Sequence, residues 1–110
     1  MKNFIQPGEV VSVVAPRAVA SGEGVLVGKI FGLAVHAAES GDAVEIRRRG
    51  VATHAKTAAQ AWTAGAALYW DNTNFVFTTT ASGNTLVGAA LASAESPSAE
   101  GTVLLDGAIR

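Results

Sequence analysis

The sequence contains no cysteine, one methionine and three prolines, and aromatic residues make up only 6% of it. Without cysteine the chain can form no disulfide and has no thiolate nucleophile, and its redox compartment cannot be inferred. The two histidines, His36 and His54, are far apart in sequence, which argues against a zinc site. The composition therefore predicts neither a metal nor another cofactor.

The chain also lacks a dominant charge, since its formal net charge is −1. A net charge this small does not attract the protein to nucleic acid or to an anionic membrane. No stretch approaches the roughly 20 apolar residues of a membrane span, and the N-terminus has no apolar run of signal-peptide length. We expect a soluble, unexported protein with no nucleic-acid or membrane partner.

Large apolar side chains are scarce, because alanine (22 residues) and glycine (12 residues) supply much of the sequence. Each buries little apolar area, so the core of one copy is thin and oligomerisation is a natural remedy. The length predicts one domain. We place it at residues 9–110, after an N-terminal arm, residues 1–8, that carries Phe4 and Ile5.

Short runs of strand-forming residues are separated by turn signals every ten or so residues. In residues 43–49, for example, Val44 and Ile46 alternate with Glu45 and Arg47. This spacing predicts an all-β fold, a small barrel or sandwich of about seven to nine short antiparallel strands. Residues 55–64 are rich in helix formers, so we expect at most one short helix or helical turn there.

A β-hairpin in residues 65–80 is the best candidate for the centre of the core. Leu68-Tyr69-Trp70 favours a strand, and residues 71–74 form a dense turn cluster. Strand alternation then places Phe75, Phe77 and Thr79 on one face. We therefore expect Trp70 inside the core and a four-residue loop.

Enzyme motifs are absent or incomplete. Residues 22–30 superficially resemble a phosphate-binding loop, but Glu23 stands where the first glycine belongs and Ile30 where the magnesium ligand belongs. No serine lies in a Gly-x-Ser-x-Gly elbow. Both histidines are interpreted as polar surface or loop residues, and Asp71 as initiating the hairpin turn rather than as a metal ligand. The sequence predicts a non-enzymatic protein.

Arg47-Arg48-Arg49 is the one basic run. No aromatic residues interleave with the arginines to stack on bases. A solvated or salt-bridged face is therefore favoured most, contact with an acidic protein surface less, and a nucleic-acid patch least. Trp62 is either a core residue or, if exposed, a residue of a subunit interface.

Blocks in order along nearly the whole chain resemble the capsid cement (decoration) proteins of tailed phages and prophages, long labelled only as a domain of unknown function. They are residues 1–9, Gly28-Lys29-Ile30-Phe31-Gly32, Arg49-Gly50-Val51 with Lys56, residues 64–71 and residues 79–90. One departure is Ala66, where the family usually has aspartate.

The resemblance implies a structural protein that binds the outside of a phage head, made in the host cytoplasm and carried on the virion exterior. It implies a homotrimer located where major capsid protein subunits meet, which holds the expanded shell together. Our candidate residues for the capsid or subunit interface are Phe4, Ile5, Arg47, Arg49 and Trp62. The alternative is a β-barrel module that binds carbohydrate or protein, which requires exposed aromatic residues lining a concave groove.

Overall fold

The computed structural model describes residues 8–56, 60–94 and 100–109. Within these ranges the chain forms nine strands and no helix. The strands are β1 (Val10–Val14), β2 (Gly24–Val27), β3 (Ile30–Ala34), β4 (Ala43–Arg47), β5 (Arg49–Ala55), β6 (Ala67–Asp71), β7 (Val76–Thr78), β8 (Thr85–Ala90) and β9 (Glu100–Asp106). All pairings between them are antiparallel, which confirms the predicted all-β class.

The strands form two sheets in a sandwich-like arrangement, not a closed barrel. The N-terminal sheet has the order β1-β4-β3-β2, and the C-terminal sheet has the order β5-β9-β8-β6-β7. The chain passes from one sheet to the other at Arg48, between β4 and β5. An isolated parallel bridge from Lys56 to Phe77 draws the two edges of the C-terminal sheet towards each other.

The N-terminal sheet buries side chains on both of its faces. On β4, Val44 and Ile46 are fully buried while Ala43, Glu45 and Arg47 are exposed, as the alternation predicts. They pack with Val25 and Ala34 in a cluster on one face of the sheet. Phe31 lies on the opposite face of β3 and belongs to the other cluster.

The main core lies where the N-terminal sheet packs against the C-terminal sheet. Trp70 and Phe77 are both 0% exposed there, which confirms that Trp70 is a core residue. The Phe31 ring centroid lies 5.1 Å from that of Trp70 and 5.8 Å from that of Phe77. Tilted and edge-on aromatic contacts of this kind favour one arrangement of the two sheets beyond simple burial.

The central hairpin forms, but its loop lies one residue later than predicted. Asp71 is the last residue of β6 and pairs with Val76, so the four loop residues are 72–75. Phe75 has a φ of 58° and is 37% exposed, whereas Phe77 is buried. The prediction that Phe75 and Phe77 lie on one face of a strand is therefore wrong, because Phe75 belongs to the turn and not to β7.

No helix forms in the described part of residues 55–64, which agrees with the prediction of at most one short helix, although the composition of this stretch favours one. β5 continues to Ala55, Lys56 forms a bridge with Phe77, and Trp62 pairs with Ala94. A turn follows, in which the Ala66 N–H donates to the Thr63 carbonyl over 2.9 Å. Cross-strand pairing overrides the helix propensity of this alanine-rich stretch.

Candidate functional site

The arginine run divides between the two sheets. Arg47 ends β4, Arg49 begins β5, and both side chains are exposed. The Arg49 guanidinium lies 3.3 Å from the Glu9 carboxylate, and both side chains are more than half exposed. An ion pair this open adds little stability, so both arginines remain accessible to a partner.

Arg48 has a structural role that its neighbours lack. Its guanidinium donates to the Gly8 carbonyl over 2.7 Å and also to the Gly107 carbonyl. Its backbone N–H donates to the Glu9 carbonyl over 2.7 Å. One side chain therefore connects both ends of the described chain at the point where the sheets meet.

An open groove of about 470 Å³ lies beside this junction. Its lining contains two basic and two acidic side chains next to apolar surface: Glu9, Arg47, Arg49, Gly50, Leu104, Leu105 and Asp106. The groove carries both signs of charge, unlike a site for a polyanion. It is suited to a polar protein surface with charges of its own.

Two exposed apolar residues, one in the groove lining and one paired with it, were missed in the sequence analysis. Val51 is 56% exposed, Leu104 is 40% exposed, and the two are directly paired across β5 and β9. Alternation along a strand shows which residues share a face, but it does not show which strand lies alongside. Val51 and Leu104 are 53 positions apart in sequence and meet only through the pairing of β5 with β9. No local signal brings them together.

Trp62 is buried within a single copy and is 3% exposed. A Cβ built on Gly101 would lie 2.6 Å from Trp62 Cε3, so the indole occupies the space over that glycine. The Lys56 ammonium lies 5.7 Å from the Trp62 ring centroid. Little of this side chain can reach a neighbouring subunit; its interface role stays an untested prediction. Phe4 and Ile5 lie outside the described residues.

A comparison with family models matches residues 5–105 to the phage cement proteins. The chain belongs to the phage cement protein family. No curated protein and no solved structure matches it. Family membership suggests a structural, non-enzymatic role in association with a virion capsid. No helix in the described part of this family member could span a membrane.

The hairpin loop of this cement-family protein is held by Asp71. Its Oδ1 accepts hydrogen bonds from the Thr73 N–H at 2.9 Å and the Asn74 N–H at 3.1 Å, and its Oδ2 accepts one from Asn74 Nδ2 at 2.9 Å. The bond from Thr73, followed by those from Asn74, lowers the pKa of Asp71. Asp71 thus orders the turn, and no cluster of three potential metal-ligating side chains exists among the described residues.

The two histidines differ in environment. His36 is exposed, and its Nδ1 lies 3.0 Å from the Ala37 carbonyl oxygen, as expected of a loop histidine. His54 is half-buried, with its ring 5.5 Å from that of Trp70 and 5.0 Å from that of Phe77. The interpretation of His54 as a polar surface or loop residue is wrong, because it lies on the inner face of β5.

The described aromatic residues offer little to a carbohydrate. Trp62, Trp70, Phe31 and Phe77 are buried, Tyr69 is half-buried, and the exposed Phe75 ring is covered by the Arg17 guanidinium, 3.8 Å from its centroid. Among the described residues, no aromatic side chain lines the groove beside Arg49. The geometry therefore favours contact with a protein surface over a carbohydrate-binding module.

Proposed function

We propose that this protein binds the outer surface of a phage capsid and stabilises the expanded shell. In this proposal it is made in the host cytoplasm and contacts the major capsid protein as a homotrimer on the virion exterior. The observation that carries the proposal is the family match, which spans residues 5–105.

The mechanism requires only selective binding. A protein that binds the expanded shell but not its disrupted subunits stabilises the shell by mass action, and the gain grows with each occupied site. A rigid binding surface serves this purpose, because little conformational entropy is lost on binding. The bonded loop at Asp71 and the aromatic packing around Trp70 are consistent with such a rigid body.

The surface around the sheet junction is the proposed region of contact with the capsid or with a neighbouring subunit. Arg47 and Arg49 are exposed there, and the chain enters the described region at Gly8, whose carbonyl is bound by Arg48. Gly8, the last residue of the arm, is therefore held at the junction, next to Glu9 of the groove. We propose that the Phe4 and Ile5 side chains of the arm dock on the capsid or on a neighbouring copy. Trp62, which is buried over Gly101, remains a candidate for the subunit interface.

A binding measurement tests the proposal. Expanded capsids lacking the protein and unexpanded procapsids are each mixed with purified protein and sedimented. We expect saturable binding to the expanded capsids, with three copies per occupied site, and far weaker binding to procapsids. Absence of saturable binding to expanded capsids of the same phage would contradict the proposal.

A further inference from the structure

The outer face of the C-terminal sheet carries an apolar row that runs straight across four strands. Val51 of β5 pairs with Leu104 of β9, Leu104 pairs with Ala89 of β8, and Ala89 pairs with Ala67 of β6. We call these four residues the apolar row. At a strand spacing of about 4.8 Å the row is about 14 Å long. Val51, Leu104 and Ala67 are exposed, and Ala89 is half-buried.

Polar pairs flank the β5–β9 end of the apolar row. Two residues along the strands on one side, Arg49 pairs with Asp106, and on the other side Thr53 pairs with Thr102. An uncharged centre with charged and hydroxyl groups at its edge is the usual anatomy of a protein interface. Leu91, 49% exposed, donates its N–H to the Thr102 carbonyl and extends the apolar area beyond β8.

The charges beside the row indicate what kind of surface covers it. Arg47 and Arg49 supply two positive charges, while Glu9 and Asp106 supply two negative charges. Because the surface carries both signs, copies related by a three-fold axis can set positive groups of one copy against negative groups of the next, whereas a partner of one sign meets as much repulsion as attraction. Ala67 and Ala89 project little from the sheet, so a second backbone can approach closely.

From these observations we infer that the apolar row is the contact surface between copies of this protein. The Val51 and Leu104 side chains of neighbouring copies pack together, and the charged residues around them form the edge of the contact. The inference rests on the proposed assembly into trimers, and it does not depend on how the trimer meets the capsid.

Sedimentation equilibrium of Val51→Asp tests this inference, with Val14→Asp as the matched control. Val14 is also an exposed strand valine, 63% exposed, but lies on β1 of the other sheet. At about 100 μM protein, we expect the wild type and Val14→Asp to sediment as trimers of the 11.1 kDa chain. We expect Val51→Asp to sediment as a monomer with an unchanged circular dichroism spectrum.

Two results overturn the inference: a wild type that is monomeric at this concentration, or a Val51→Asp variant that assembles like the control. If Val51→Asp does not fold, spin labels on Val51→Cys and Val14→Cys replace it, since the chain has no native cysteine. Labels at position 51 should lie closer together between copies than labels at position 14, and the reverse order overturns the inference. Capsid binding by the same variants separates this question from the proposed function.

Discussion

Gly24 of β2 lies directly against the indole of Trp70 of β6, so that a Cβ built on Gly24 would be 2.7 Å from Trp70 Cζ2. The contact joins the two sheets at the centre of the main core. Trp70 is 0% exposed and its Nε1 donates to Asn72 Oδ1 over 2.9 Å, so the ring is fixed from both sides. The absence of a side chain at Gly24 is therefore a condition for the packing of the sheets.

Gly24→Ala should destabilise the protein by about 1–3 kcal/mol, because the added methyl group overpacks a closed core. A double-mutant cycle with Trp70→Phe tests the cause. The smaller ring leaves room for the methyl group, so the double variant should be more stable than the sum of the two single changes predicts. Additive effects in urea unfolding would show that Trp70 is not what excludes a side chain at Gly24.

Arg48→Ala should also lower the free energy of unfolding, by about 1–3 kcal/mol, since it leaves the Gly8 and Gly107 carbonyls without their donor. The exposed Arg47 provides the control, and Arg47→Ala should change stability by less than about 0.5 kcal/mol. Arg48→Lys should recover little of the lost free energy of unfolding, because one ammonium group cannot reproduce the planar fork of guanidinium donors. Equal effects at both positions would contradict this role of Arg48.

Phe75 carries a backbone strain that can be measured. A φ of 58° is unfavourable for a residue with a side chain, and Phe75 gains in return the contact with Arg17. Phe75→Ala removes the ring and keeps the strain, while Phe75→Gly removes both. Phe75→Gly should therefore be more stable than Phe75→Ala by about 1 kcal/mol. The opposite order in thermal unfolding would show that this φ is not strained.

Asp71 should make stability depend on pH. Its folded-state pKa is lowered below the ordinary value of 3.8 by bonds from Thr73 and Asn74, so the ionised form stabilises the fold. That contribution is present above the unfolded-state pKa and is lost as pH falls through the lowered folded-state pKa. The stability difference between the wild type and Asp71→Ala should therefore shrink steadily below about pH 4. A pH-independent difference would show that the carboxylate charge is not involved.

Local signals in the sequence predict much of the fold. The alternation of Val44 and Ile46 identifies the buried face of β4, and the aromatic cluster around Trp70 identifies the core. The signals fail where long-range pairing decides the outcome. Lys56 and Trp62 lie in an alanine-rich stretch typical of a helix, but both are held by bridges to residues that are distant in sequence, Phe77 and Ala94. The predicted face of Phe75 is wrong because the loop lies one residue later than predicted and includes Phe75.

The candidate site was predictable only in part. The arginine run is visible in the sequence, but its division into two exposed residues and the structural Arg48 depends on where the sheets meet. The apolar row depends on the register of four strands, and a shift of one residue in any pairing would place other side chains there. The exposure of Val51 and Leu104 therefore cannot be read from either strand alone.

Deletion of residues 1–7 tests the proposed docking of Phe4 and Ile5 and leaves the Gly8 carbonyl in place for Arg48. Burial of both side chains on a partner would contribute about 3–6 kcal/mol before the entropy of ordering the arm is subtracted. We expect the shortened protein to keep its melting temperature and to lose affinity for expanded capsids. Early melting combined with normal capsid binding of the folded fraction would instead assign the arm to the domain's own core.

Calorimetry of expanded capsids, with and without the purified protein, tests the central claim most directly. If the protein stabilises the shell from outside, the temperature of capsid disruption should rise as protein is added. The rise should stop when the binding sites are full. Saturable binding to the capsid exterior with no change in the disruption temperature would contradict the account.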